Sequence, residues 1–174
     1  MCEDGWIELE WEVGKVLWAD FAEQFHFRAG VTSKDWPAIA EPVPSVTWDL
    51  SPVFSGDSPG GFGPGMLAVA GLVLGTLQDC TDWHETVAFH DWVHPSALFR
   101  PHQVDEPQEV SGWDTGGLFP NGSYTIFVGR DYAFGVIGNP WEQSLCVFGD
   151  AAVDAFAVRN LKILDRILRQ QNQP

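Results

Sequence analysis

The stretch "LFPNGSYTIFVGRDYAFGVIGNPWEQSLCVFGD", residues 118–150, decides the fold class. Three runs rich in β-branched and aromatic residues, 124–128, 132–137 and 144–148, alternate with turn signals. The turns are Pro120-Asn121-Gly122-Ser123, Gly129-Arg130-Asp131 and Asn139-Pro140-Trp141-Glu142-Gln143. Connections this short force neighbouring strands to pair antiparallel, because a parallel pair needs a crossover of a dozen residues or more. The last bend is unusual. A routine hairpin carries Asn-Gly or Asp-Gly, whereas this one places a proline, a tryptophan and a carboxylate at the corner. The sequence predicts a bend that is structural first, with Pro140 fixing its direction and Trp141 folding back over apolar surface.

Outward from this meander, both ends of the chain read as amphipathic helices. C-terminally, Asp150 is a candidate N-cap. Val153, Phe156, Ala157, Leu161, Leu164, Ile167 and Leu168 then fall on one helical face, with Asp154, Lys162, Asp165, Arg166 and Arg169 opposite. N-terminally, Val13, Leu17, Trp18, Phe21 and Phe25 share a face over residues 8–27, with Glu8, Glu12, Lys15 and Glu23 opposite. Between them, 45–50 alternates like a strand and 55–65 is a loop by composition. Pro64 suits the first turn of a helix reaching Gln78. Residues 82–92 have β character, 96–100 form a short extended piece, and 103–117 read as a long acidic loop. The expectation is a single α+β domain over residues 1–174, its N- and C-terminal helices packed on one face of an antiparallel sheet.

Composition narrows the function classes. Apolar residues make up 45% and charged residues 19%, the balance of a globular chain with a real core. Nine tryptophans and twelve phenylalanines must fill that core or line a groove. The net charge is −15. Residues 158–174 carry four basic side chains against Asp165, a net of +3, so the rest of the chain holds about −18. Such a field repels nucleic acid and anionic membranes and attracts a cationic partner. Cys2, Cys80 and Cys146 show no metal or disulfide spacing, and the first residues are acidic where a signal peptide is basic and then apolar. These features point to a cytoplasmic protein. The uncharged stretch 58–78 contains two prolines and six glycines, and its helical part falls short of the ~20 residues of a membrane span.

Two constellations invite a chemical reading. His84, His90, His94 and His102 cluster in sequence, and His90 and His94 have the i, i+4 spacing of helical metal ligands. Pro95 works against that helix, and a strand would set the two rings roughly 13 Å apart, so no metal is expected. Trp92, His94, Trp141 and Glu142 form the second set. A carboxylate beside tryptophan can serve as a general acid or base, which makes His94 and Glu142 the catalytic candidates of an aromatic pocket. The competing reading has Glu142 bonding the bend while Trp141 closes the core. There is no nucleophile elbow, P-loop or dinucleotide fingerprint, and no cofactor is expected. The sequence favours a binding or inhibitory protein, comparable by analogy to immunity proteins, over an enzyme. It would hold a basic protein partner through Asp105, Glu106, Glu109, Asp114 and Trp113 of the acidic loop. A small-molecule binder or enzyme built on Trp92, His94, Trp141 and Glu142 is the alternative.

The segments "EPVPSVTWDLS" (41–51), "DWVHPSALFRPH" (91–102) and "FPNGSYTIFVGRDYAFGVIGNPWEQSLCVFG" (119–149) resemble, in that order, an uncharacterised bacterial family, number twenty-seven-sixteen of the domains of unknown function. The resemblance spans most of residues 11–157, and the Gly-x-Pro-Trp-Glu…Cys-Val-Phe-Gly segment is its specific part. That family carries His before Pro-Trp where this chain has Asn139, so a role that needs an imidazole there does not transfer. The resemblance sharpens the fold and brings no activity with it.

Overall fold

Strands buried at every position, rather than at every second one, belong to a sheet covered on both faces. The strands around the deciding stretch are of this kind: every residue of Thr125–Val128, Gly135–Asn139 and Ser144–Phe148 is buried. A computed structural model, describing residues 5–54, 63–107 and 117–173, shows how both faces are covered. In chain order the elements are β1 (Trp6–Glu8), α1 (Trp11–Gln24), β2 (Ser45–Asp49), the short α2 (Ser51–Phe54), α3 (Pro64–Asp79), β3 (Val87–His90) and β4 (Ala97–Phe99). They continue with β5 (Thr125–Val128), β6 (Gly135–Asn139), β7 (Ser144–Phe148), α4 (Asp150–Arg159) and β8 (Ile167–Gln171). The strands form one eight-stranded sheet in the order β1-β4-β3-β5-β6-β7-β2-β8, with antiparallel pairing throughout.

The side-chain period of two divides the core. Phe127, Val136, Leu145 and Val147 point to one face, where they meet Val69, Val73 and Leu77 of α3 and Ala152 and Phe156 of α4. Ile126, Val128, Ile137, Cys146 and Phe148 point to the other, under Phe21 of α1 and Phe25 just past its end. The chain is therefore α+β as expected, but its terminal helices lie on opposite faces of the sheet rather than on one. The expectation of one face overlooked α3, whose apolar, uncharged surface claims the same side as α4.

The second correction concerns the C-terminus. The helix predicted to run through Arg169 ends at Arg159, and Asn160 explains the stop. Its side chain donates to Leu164 O at 2.7 Å and accepts from Leu164 N–H at 2.8 Å, closing a tight loop. Leu161 and Lys162 then adopt left-handed backbone conformations (φ 36° and 66°), which ends any helix. The chain returns as β8 along β2, pairing Thr47 with Arg169 and Ser45 with Gln171. Gly149, not Asp150, is the N-cap of α4. Its φ is +86°, and a Cβ there would collide with Ala133 O, so only glycine fits.

Candidate functional site

The bend 139–143 builds itself from its own polar groups. Asn139 Oδ1 accepts the backbone N–H groups of Trp141 (3.1 Å) and Glu142 (3.2 Å), which turns the chain at Pro140. A Cβ at Gly138 would lie 2.5 Å from Thr125 Oγ1 and 2.8 Å from Pro120 Cβ, so the strand entering the bend packs too closely for any other residue. Gln143 closes the turn at φ 54°. The two named residues of the bend then face different neighbours.

Trp141 is half-buried and rests on Tyr124 (ring centroids 5.1 Å), with Trp92 edge-on to it at 5.6 Å. Tyr124 is buried, and its hydroxyl donates to Gly30 O (2.9 Å) while accepting Gly30 N–H (3.2 Å). The phenol thus pins the segment after α1 to the sheet, and burial pushes its pKa up.

Glu142 turns away from this aromatic cluster. Its carboxylate accepts Arg169 Nη1 (2.6 Å), Arg169 Nη2 (2.9 Å) and the Ser144 hydroxyl (2.7 Å). The same guanidinium donates from Nε to Glu41 Oε1 at 2.9 Å, and Glu41 also accepts the Thr47 hydroxyl at 2.7 Å. One arginine of β8 therefore clamps two carboxylates that are only 4% and 9% exposed. Burial works against the charged guanidinium, but the hydrogen bonds to Glu142 and Glu41 hold its pKa above the usual value. Cys146 sits beside this clamp, and burial pushes its thiol up to about 12, which leaves it unreactive. With three donors on its carboxylate, Glu142 is a structural acceptor that joins the bend to β8.

His94 belongs to a second turn, between β3 and β4. Asp91 Oδ1 accepts the N–H groups of Val93 (2.8 Å) and His94 (2.6 Å), and Asp91 Oδ2 lies 2.6 Å from His94 Nδ1. The Asp91 side chain is 2% exposed and the imidazole 40%. The turn faces α1 across a cleft of about 240 Å³ lined by Trp11, Trp18, Trp92, Lys15, His94 and Ser96, with Asp91 in its wall. An adjoining hollow of about 220 Å³ shares Leu9, Pro95 and Ser96 and adds Glu8. Lys15 is ion-paired with Glu12 at 3.7 Å. Below the cleft, Ser96 Oγ lies 2.6 Å from His90 Nδ1, the spacing of a hydroxyl and its base. Burial drives the His90 imidazole down to about 4, against the opposing pull of Asp91, and Trp18 and Phe21 pack on its ring. So weak a base does not activate a hydroxyl at neutral pH. The pair acts as a satisfied hydrogen bond in the floor of the cleft.

The structure therefore brings Trp92 and His94 to one cleft and places Trp141 against Trp92, while Glu142 is held elsewhere. Asp105 and Glu106 follow a 3₁₀ turn at Pro101–Gln103; Glu109, Trp113 and Asp114 lie outside the described residues. The clustered histidines separate: His90 is buried, His102 bonds Thr81 O through Nε2 (2.8 Å), and His84 is exposed. Among the described residues no three His, Cys, Asp or Glu side chains are grouped to hold a metal ion, and no helix is long and apolar enough to cross a membrane. Sequence reading missed Asp91, whose place ahead of Trp-Val-His-Pro is a usable turn signal. It also missed Trp11 as a cleft residue, and the role of Arg169.

An antiparallel sheet sheathed by helices, with a tryptophan-lined cleft at the end of one of them, defines the class of this protein structurally. The chain belongs to the family described as Protein of unknown function (DUF2716), which matches residues 8–153. The uncharacterized protein YxiI of Bacillus subtilis (strain 168) is 30% identical to it over 118 residues, covering 67% of this chain and 72% of that one. No solved structure matches the chain. The family match includes the cleft, the bend, Glu41 and Glu142, and stops short of Arg169.

Proposed function

We propose that this chain is a cytoplasmic, immunity-like binding protein for a basic protein partner, and that the cleft between α1 and the 91–96 turn receives a cationic side chain of that partner. The observation that carries this reading is the lining of one cleft by three indoles, Trp11, Trp18 and Trp92. Indole faces attract cations. Trp11 and Trp92 are 62% and 48% exposed, so a partner can reach them. The neighbouring hollow with Glu8 extends the cleft into a groove, which suits a chain segment better than a compact molecule. The net charge of −15 works in the same direction. Arg159, Arg166 and Arg169 are committed to Asp79, Asp49 and the Glu41–Glu142 clamp, so these cations already have internal counterions. Asp105 and Glu106, with Glu109 and Trp113 further along the chain, are proposed as a second, steering contact. The reading that pairs His94 with Glu142 in catalysis has less support, because different partners hold the two groups.

The test is a tryptophan-fluorescence titration with an arginine-rich peptide and its citrulline counterpart, which keeps the shape and removes the charge. The arginine peptide is expected to bind and the citrulline one to fail. Affinity should drop steeply as salt rises from about 0.1 M to 1 M. Trp11→Ala and Trp92→Ala should each weaken binding roughly tenfold or more. Charge reversal at Asp105, Glu106 and Glu109 should slow association. Equal binding of both peptides, or indifference to salt and to all these substitutions, refutes the reading.

A further inference from the structure

We propose that the outer edge of β8 is a self-association surface, through which two copies of this chain pair antiparallel across a twofold axis and join their sheets. In the sheet order β8 is terminal: one edge bonds to β2, and no described strand pairs with the other. The strand is five residues long, against three for β1 at the opposite end, and contains no proline. Open edges are usually blunted by lysine, proline or a covering loop. The one charged side chain of β8, Arg169, is instead turned inward onto Glu41 and Glu142.

Exposed apolar side chains lead into this strand. Ile167 lies opposite Trp48, which stacks on Phe156 of α4. Val158, Leu161, Ile163 and Ile167 are 77%, 84%, 40% and 44% exposed. These residues occupy the end of α4, the loop after it and the start of β8, so large apolar side chains recur along one short stretch of chain. Scattered exposed residues need no explanation, but such a concentration leading into a strand whose outer edge no described strand covers does.

Charge selects the occupant as a second copy. Two chains of net charge −15 repel over most of their surfaces. In residues 158–174, Arg159, Arg166 and Arg169 each meet a carboxylate of the same chain, which leaves this surface close to neutral. Contact at β8 is thus where two copies approach with the least like-charge repulsion. A twofold pairing also makes the contact self-complementary and closed.

This inference does not depend on the basic-partner reading, and its response to salt is opposite. Screening should strengthen self-association and weaken capture of a cation. Light scattering across a concentration series should show the mass rising from 19.3 kDa toward about 39 kDa, at lower protein concentration in high salt. The β8 amides should gain hydrogen-exchange protection with concentration. Ile167→Lys and, separately, Leu161→Lys should each weaken the dimer roughly tenfold or more. Leu161 is so exposed that its replacement leaves the fold intact, which near-UV circular dichroism checks. A monomer at every concentration and salt overturns the proposal. So does a dimer unaffected by either substitution, or one whose β8 amides are no better protected than in the monomer.

Discussion

Replacing Arg169 by methionine keeps most of the side-chain volume and removes the charge that joins β8 to the bend. It leaves Glu41 and Glu142, 4% and 9% exposed, without their guanidinium. Breaking a buried ion pair from one side typically costs about 3–5 kcal/mol, because a desolvated charge is stranded. Here two carboxylates are stranded, which raises the cost. Arg169 itself is 27% exposed, so water can partly replace it, which lowers the cost. The two effects oppose, and the expectation stays at about 3–5 kcal/mol. For a chain of this length that is a fall in Tm of roughly 6–20 °C. Urea unfolding followed by tryptophan fluorescence measures it. Adding Glu41→Gln and Glu142→Gln to Arg169→Met should recover at least half of the loss, since the triple variant has no buried charge left to compensate. A single variant within about 1 kcal/mol of the parent would refute the clamp as a stabilising feature. A triple variant no better than the single would show that packing, not charge, was lost.

Two further outcomes are expected. Because the His90 imidazole is pushed down to about 4 by burial, the unfolded chain takes up a proton there while the folded one does not. Stability should therefore fall by up to about 3 kcal/mol as pH drops from about 6.5 to about 4, and the difference between parent and His90→Gln unfolding curves over that window isolates this term. Trp141→Ala should destabilise by about 2–3 kcal/mol, below the ~3–5 of a fully buried ring, because Trp141 is half-buried against Tyr124 and Trp92; an unchanged Tm would show that these ring contacts add nothing to stability.

The meander was legible because its signals are local. Turn residues and apolar runs placed β5, β6 and β7 to within a few residues, and Pro64 marked the start of α3. The failures share a cause of a different kind. Residues 161–168 carry a helical apolar period, yet Asn160 closes a loop on Leu164 and the chain is drawn out as β8 by a partner strand more than a hundred residues away. Tertiary pairing overrode local propensity there, as it does wherever a strand's stability comes from its neighbour. The candidate site was half legible. Trp92 and His94 were singled out as aromatic and titratable residues beside a proline. That α1 would supply Trp11 and Trp18 to the same cleft depended on which face of the sheet the helix covers. That Glu142 bonds Arg169 was not legible, because Arg169 lies in the strand that reads as helix.

The clamp has a consequence for the order in which the molecule can be made. Glu41 leaves the ribosome 128 residues ahead of Arg169. Until Arg169 is synthesised, the two carboxylates lack their cation and the edge of β2 has no β8 to cover it. The nascent chain can assemble the local hairpins of β5 to β7, but closure of the sheet at β2 must wait for a contact of very long sequence separation, the slow kind in folding. During that interval the open β2 edge carries two unneutralised carboxylates beside it, and like charge keeps one unfinished chain from pairing with the next on a crowded messenger. The Arg169 guanidinium thus ties together residues 128 positions apart, which makes the β2–β8 side of the sheet a late contact to form.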